Sequence, residues 1–302
     1  MALLLETAGE RLSFECSLAW VSDLIAEGAA GELRDADAGD GSASVVVRVE
    51  PDRGPFDPDD WEPLARGSWR RAGEVVVENV GTAGFDLHLR CAPETFEFTY
   101  RWRPPMRDRV VARVLRSRFH LLARAMLIQY PALWAAGTRG RAPLHASACV
   151  AGGATPLVTA QSGIGRSTLV LRELEAGGAA TGDNLAVGDG QNVWGVVEPL
   201  RIEGGNGRRM PHGRAEAPMS TRAHSLTPDS VIVLRRDRSN QASLSTCSVE
   251  SATRSLVTST YMAGELRRFW PFAASLPCLS LTLGRSGEAH LAELLGATAV
   301  AA

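Results

Sequence analysis

Lysine is absent from the sequence, and all 32 basic residues are arginine. Wherever a phosphate-binding lysine would ordinarily stand, this chain offers a guanidinium instead. No run of about 18 or more uncharged apolar residues occurs, which leaves out a helical membrane span. The opening MALLLETAGERL has no basic stretch and meets Glu6 early, so it does not read as a secretory signal. A cytoplasmic location is the expectation. Cysteine is sparse: Cys16, Cys91, Cys149, Cys247 and Cys278 are scattered, odd in number and free of any CxxC pair. That argues against a disulfide framework or a zinc site and favours small buried hydrophobes. The six histidines show neither HxxxH nor HExxH spacing, so metal held by His and Cys is not indicated. Charge is too modest, and an apolar content of 45% too ordinary, for a largely disordered chain.

What is present suits two domains, or one large one, with apolar mass enough for a real core in 302 residues. The charge is unevenly divided although the net charge is only −2. Residues 1–100 hold 20 acidic and 8 basic residues, whereas residues 101–302 hold 14 acidic and 24 basic. An anionic ligand therefore belongs with the second part.

Residues 1–105 read as a β-rich N-terminal domain. RLSFECSLAW, SVVVRVE, GEVVVENV, FDLHLRC and TFEFTYRWR are strand-like, and Phe96, Phe98 and Tyr100 alternate with Glu97 and Thr99 as in a half-buried strand. Segments 35–42 and 51–60 read as loops. Residues 106–140 read as a connector built on one long amphipathic helix over about 107–130. Val110, Val111, Val114, Leu115, Leu122, Ala125 and Met126 make its apolar stripe, with Arg109, Arg113, Arg116, His120 and Arg124 on another face. That basic face reads first as a solvated surface, and otherwise as a place for a phosphate, an acidic peptide or the acidic N-terminal domain.

From 141 to 302 the pattern becomes strand, glycine loop and helix, the mark of an α/β phosphate-binding unit. PLVTA precedes Gln161-Ser162-Gly163-Ile164-Gly165-Arg166-Ser167-Thr168, and LVLRELEAG follows. Against G-x-x-x-x-G-K-[ST] the stretch matches at Gly165 and Ser167, with Ala160 for the first glycine and Arg166 for the lysine. Gly163 and Gly165 allow the tight turn that aims successive N–H groups at a phosphate, and the following helix adds its positive end. Ser167 is placed to hold a phosphate-bound magnesium ion.

Three motifs in order carry a family resemblance: Leu144-His145-Ala146-Ser147-Ala148, the SGIGRST loop, and Gly182-Asp183-Asn184-Leu185. Together they resemble the catalytic domain of the HPr serine kinase family and its relatives in peptide natural-product pathways, the lasso-peptide kinases among them. The resemblance covers about 130–205. It implies an α/β P-loop C-terminal domain, behind the β-rich N-terminal domain, that uses ATP or another nucleoside triphosphate with Mg2+. The nucleotide would lie on Ser162, Gly163, Ile164, Gly165, Arg166, Ser167 and Thr168, with Ser167 and Asp183 toward the metal. Asp183 would act as base toward the accepting hydroxyl, His145 would support it, and Arg166 would offset charge on the phosphates. Asn184 stands where the family has a second Asp. Leu200-Arg201-Ile202-Glu203-Gly204 replaces the family's L-E-[IV]-R-G, which makes Glu203 the substitute for a magnesium-binding Glu.

The function so implied is phosphorylation of a hydroxyl on a peptide or small molecule. The alternative is a degenerate kinase-like scaffold that binds a nucleotide or peptide. Arg208-Arg209, Arg235-Arg236-Asp237-Arg238 and Arg267-Arg268 are surface loops or anion sites, with the first reading at least equal in weight. Nucleic acid is not an expected partner, since the overall balance is acidic and no aromatic RNA-binding pattern occurs. Neither is a membrane, and the oligomeric state is left open, a homo-oligomer included.

Overall fold

The computed structural model describes residues 2–36, 41–202, 210, 213–237, 241–257, 271–272, 274–284 and 290–300. Glu203, Arg208, Arg209, Arg238, Arg267 and Arg268 lie outside the described residues. The chain divides into two compact units, Met1–Ala135 with Arg208–Gly213, and Ala136–Gly207 with Arg214–Ala302. The helical stretch read from the sequence as a connector thus belongs to the first unit as far as Ala135.

In the first unit, β1 (Leu3–Thr7), β2 (Glu10–Cys16), β3 (Arg34–Asp35), β4 (Val45–Glu50), β5 (Glu62–Ala65), β6 (Ser68–Arg71), β7 (Glu74–Val77), β8 (Phe85–Cys91) and β9 (Phe96–Trp102) form one sheet. Its order is β3-β1-β2-β4-β9-β8-β7-β6-β5, with β4 parallel to both β2 and β9. Alternation decides its faces. Val45, Val47 and Val49 are buried with Phe96, Phe98 and Tyr100, while Arg48 points outward to Glu15 at 2.8 Å and Glu97 at 3.4 Å. Helix α1 (Ala19–Gly28) supplies Val21, Leu24 and Ile25 to this core.

The long helix expected over 107–130 is interrupted, and its path has two causes. Leu115 adopts φ −105°, ψ 52°, which separates α2 (Met106–Val114) from α3 (Arg116–Arg124). Burial starts only beyond that break. Val110, Val114 and Leu115 of the predicted apolar stripe are 52%, 73% and 47% exposed, and Val111 is half-buried. Residues Ala125–Gln129 then form a π-helical turn before α4 (Tyr130–Thr138). Pro131 explains that turn, because it has no N–H to donate within the helix. The Tyr130 N–H goes to the Ala125 carbonyl, and the Met126 carbonyl instead accepts the Tyr100 hydroxyl at 2.6 Å. The basic face splits as well. His120 and Arg124 are buried, with His120 Nδ1 3.1 Å from Glu27 Oε2 of α1.

In the second unit, β11 (Ala146–Ala148), β12 (Pro156–Ala160), β18 (Ser230–Arg236), β20 (Cys278–Leu283) and β19 (Ser243–Thr246) form a sheet in that order. Its centre is parallel: β12 pairs β18, and β18 pairs β20. Helix α5 (Arg166–Glu175) packs Leu169, Val170 and Leu174 with Val158, Ala160, Ile232 and Leu234. Helix α6 (Val249–Val257) packs Ala252, Leu256 and Val257 with Leu157, Val231 and Val233. The odd and even residues of β12 and β18 therefore face different helices, giving three layers. Beside them, β10 (Ala142–Leu144), β13 (Ala186–Gly188), β14 (Val193–Gly195) and β17 (Ser225–Leu226) make an antiparallel sheet. A short antiparallel pair joins β15 (Leu200–Ile202) to β16 (Ala215–Ala217).

All five cysteines are free thiols. Cys149 and Cys278 are buried, as expected of small hydrophobes, and burial pushes the Cys149 thiol up to about 12. Cys91 is exposed. Among the described residues, no helix is long and apolar enough to cross a membrane.

Tyr100→Phe deletes the donor that serves the half-buried Met126 carbonyl. A loss of about 1–3 kcal/mol in unfolding free energy is expected. Urea titration followed by fluorescence reads it, and a change below about 0.5 kcal/mol would show that the π turn does not depend on this bond.

Candidate functional site

The glycine loop leaves the buried strand β12 at Ala160 and enters α5 at Arg166. Gly163 has φ +84° and Gly165 φ +121°, conformations that side-chain-bearing residues rarely adopt. The Ile164 N–H donates to the Gln161 carbonyl at 3.4 Å, and the Leu169 N–H to the Gly165 carbonyl at 3.0 Å. Gln161, Ser162, Gly163 and Thr168 are exposed, whereas Ile164, Gly165 and Ser167 are half-buried. The loop thus presents the N-terminal end of a ten-residue helix at the carboxyl end of a central parallel strand. Helix-end N–H groups lack intrahelical partners, and this end carries partial positive charge.

Arg166 is 8% exposed, and it does not lie open at the mouth of the loop. Its Nε donates to the Asp183 carbonyl at 3.0 Å and its Nη1 to the His145 carbonyl at 3.2 Å. Its Nη2 donates to Asn184 Oδ1 at 2.6 Å. Burial pulls the guanidinium below its ordinary value, while Asp183 and Glu198 oppose that shift. Arginine remains charged throughout.

His145 occupies the junction where the chain passes from β10 in one sheet to β11 in the other. Its N–H donates to the Leu256 carbonyl at 2.9 Å, and its carbonyl accepts from Thr159 Oγ1 at 3.0 Å. Its Nε2 lies 2.8 Å from Asn184 Oδ1. That oxygen already accepts from Arg166, which can only donate, so the histidine donates to it too and is the Nε2–H tautomer. The 3.1 Å approach between His145 Nε2 and Arg166 Nη2 is then two N–H groups converging on one oxygen. The imidazole, read from the sequence as supporting Asp183, hydrogen-bonds Asn184. Burial first, and the Arg166 charge second, lower His145 to about 4. Asn184 and Asp183 oppose this, and Arg201 adds to it.

Asp183 is fully buried. Its Oδ2 accepts the Arg201 N–H at 3.2 Å, and among the described residues its Oδ1 has no hydrogen-bond partner. The segment is pinned from both sides. Ser147 Oγ donates to the Gly182 carbonyl, the Thr181 N–H donates to the Ala148 carbonyl at 2.9 Å, and the Val196 N–H donates to the Leu185 carbonyl at 2.9 Å. Gly195 is required here, because a Cβ on it would collide with the Thr181 carbonyl.

Glu198, which sequence reasoning passed over, completes the cluster with Arg201. Glu198 is 6% exposed, accepts the Leu185 N–H at 3.0 Å, and pairs with Arg201 Nη2 at 3.0 Å. Burial raises its carboxyl above the ordinary range, against the pull of Arg201. An acid between Val197 and Pro199, inside an apolar run, was the available signal. The family signature drew attention instead to Glu203, five residues later.

Among the described residues no group of three or more His, Cys, Asp or Glu is arranged to hold a metal ion. Magnesium needs only one or two carboxylates when nucleotide phosphates fill its remaining positions. The unpaired Asp183 Oδ1 is such a donor by chemistry, and Ser167 follows Arg166 in α5.

The folded histidine titrates below its usual value near 6.5, so the unfolded chain takes up the proton first as pH falls. The His145 contribution to stability is intact above about pH 6.5 and is lost as pH falls toward 4. Glu198 acts in the opposite sense, since a raised carboxyl favours the folded state at low pH. Nitrogen-resolved NMR separates the two, and His145 is expected to stay neutral and Nε2-protonated from pH 8 to 5. A His145 midpoint near 6.5 would overturn the assignment. No protein-family model matches the chain, and none of the curated proteins searched matches it.

Proposed function

We propose that the second unit binds the phosphates of ATP, or of another nucleoside triphosphate with magnesium, along Ser162–Thr168. The protein then acts as a cytoplasmic kinase of the HPr kinase-like kind, phosphorylating a hydroxyl on a peptide or small-molecule substrate. The observation that carries this reading is the glycine loop itself: it leaves a buried parallel strand, turns through two positive-φ glycines and opens a helix. Ligands of open α/β sheets bind outside the carboxyl ends of the strands, where this loop lies. Phosphoryl transfer asks the protein chiefly for positioning and charge, with a group to receive the hydroxyl proton. Asp183 supplies that group through its unpaired Oδ1, and because it is fully buried, its segment has to open for the acceptor to reach it.

A second reading has a specific observation behind it. Arg166, at the position of the usual phosphate-binding lysine, is committed to His145, Asp183 and Asn184. That commitment favours a nucleotide- or peptide-binding scaffold without transfer.

Isothermal titration with magnesium-ATP tests the common part. Binding is expected, and it should weaken at least tenfold in Gly163→Val, where a side chain strains an exposed φ of +84° without meeting any neighbour. No binding at millimolar concentration would sink both readings. Mass spectrometry of candidate acceptor peptides with ATP and magnesium then separates them. A kinase yields a phosphorylated product that disappears in Asp183→Asn while binding of the magnesium-free nucleotide persists. Binding without any product supports the scaffold.

A further inference from the structure

Beside the glycine loop lies a cleft of about 410 Å³, lined by Gln161 and Ile164 of the loop, by the end of β18 and by one face of α6. Three arginines contribute to that lining: Arg235 and Arg236 from β18, and Arg254 from α6. Among the described residues, no carboxylate does. We infer that this cleft is a phosphate subsite whose positive charge comes from Arg235 and Arg254, in place of the inward-facing Arg166. The inference rests on the nucleotide reading of the loop and deepens it.

The topology puts these groups together. Strands β12 and β18 run parallel, with Ala160 opposite Leu234, so Gln161 and Arg235 continue from neighbouring strand ends. Side chains alternate along β18, and Val231 and Val233 face α6. Arg235 is next on that face, and its Nη2 donates to Ser251 Oγ of α6 at 3.1 Å. Ser251, Arg254 and Ser255 lie on one side of α6 at helical spacing and reach the same cleft. Ser255 Oγ is 3.1 Å from Thr159 Oγ1 in β12, which ties that face of the helix to the strand leading into the loop.

Electrostatics then specifies the ligand class. Arg254 pairs with Glu250 at 2.7 Å, but both side chains are largely exposed, and such a pair offsets little of the local charge. Two like charges, Arg235 from β18 and Arg254 from α6, lining one concavity favour an anion, and guanidinium forks match phosphate oxygens two at a time. A phosphate held there would touch the exposed loop and the arginines together. The loop supplies N–H groups and the cleft supplies charge.

Isothermal titration with inorganic pyrophosphate and with magnesium-ATP tests the assignment. Arg235→Glu and Arg254→Glu are expected to weaken both ligands at least tenfold, and Arg235→Lys to lose less than Arg235→Glu. Arg90→Ala, a charge removed from an exposed position of β8 in the first unit, is expected to bind as the wild type does. Both arginines are surface residues, and circular dichroism confirms that each variant is folded. If Gly163→Val abolishes binding while both glutamate variants bind within twofold of wild type, the loop reading stands and this inference falls. If the glutamate variants lose binding while Gly163→Val retains it, the cleft is the anion site and the loop reading falls. Wild-type protein that binds neither ligand overturns both.

Discussion

A guanidinium taken out of water loses its hydration and cannot escape that penalty by shedding its proton. Arg166 is in that position, and its burial is tolerable only because acceptors converge on it from separate parts of the chain. The His145 carbonyl comes from the junction of two sheets, the Asp183 carbonyl and Asn184 Oδ1 from the segment before β13, and Arg166 itself opens α5. Remove any of these and a charged group is left partly unpaired in a dry place. The glycine loop, the histidine and the acid-bearing segment are thus fixed against one another by one side chain. Lysine cannot substitute for that role, since an ammonium on a flexible stem does not span three acceptors held in one planar fork. The chain without lysine has turned its arginine to structural use.

The negative partners of this centre follow the same logic. Asp183 and Glu198 are both buried, and both lie within electrostatic reach of Arg166 and Arg201. Glu198 completes its pairing with the Leu185 N–H and Arg201, whereas Asp183 keeps one oxygen unpaired. An unpaired buried carboxylate oxygen costs on the order of 1–3 kcal/mol or more, and such groups concentrate where a ligand or a proton is handled. The contrast between two neighbouring acids, one satisfied and one not, distinguishes Asp183 better than its presence in a motif does.

Much of this was legible in residue spacing, and the rest was not, for identifiable reasons. The alternation at Phe96, Phe98 and Tyr100 survives intact because a strand exposes its pattern two residues at a time. The glycine loop was legible because φ > 0 leaves a chemical trace, glycine itself. The broken helix was not, since nothing in Val110–Leu115 announces that Leu115 will leave helical geometry. Pro131 did signal a disturbance, but its effect is a π turn answered by a tyrosine 31 residues earlier, which no local pattern contains. Arg166 illustrates the deepest limit. A motif assigns a residue its position along the chain, while the direction of a long side chain depends on which acceptors the fold assembles around it.

That direction also bears on which charges a phosphate at the proposed site would use. A ligand with micromolar affinity has about 8 kcal/mol of binding free energy in all. Turning Arg166 outward would break three hydrogen bonds made by a charged group, at about 1.5–3 kcal/mol each, and would strand His145 and Asn184 as well. The reorganisation would consume most or all of what the phosphate contributes. Arg235 and Arg236 are already exposed, and among the described residues Arg235 gives up a hydroxyl contact to Ser251. On the proposed reading, an anion at the loop would meet its counter-charge from β18 and α6 at little cost, while the buried network holds Asp183 and His145 in register.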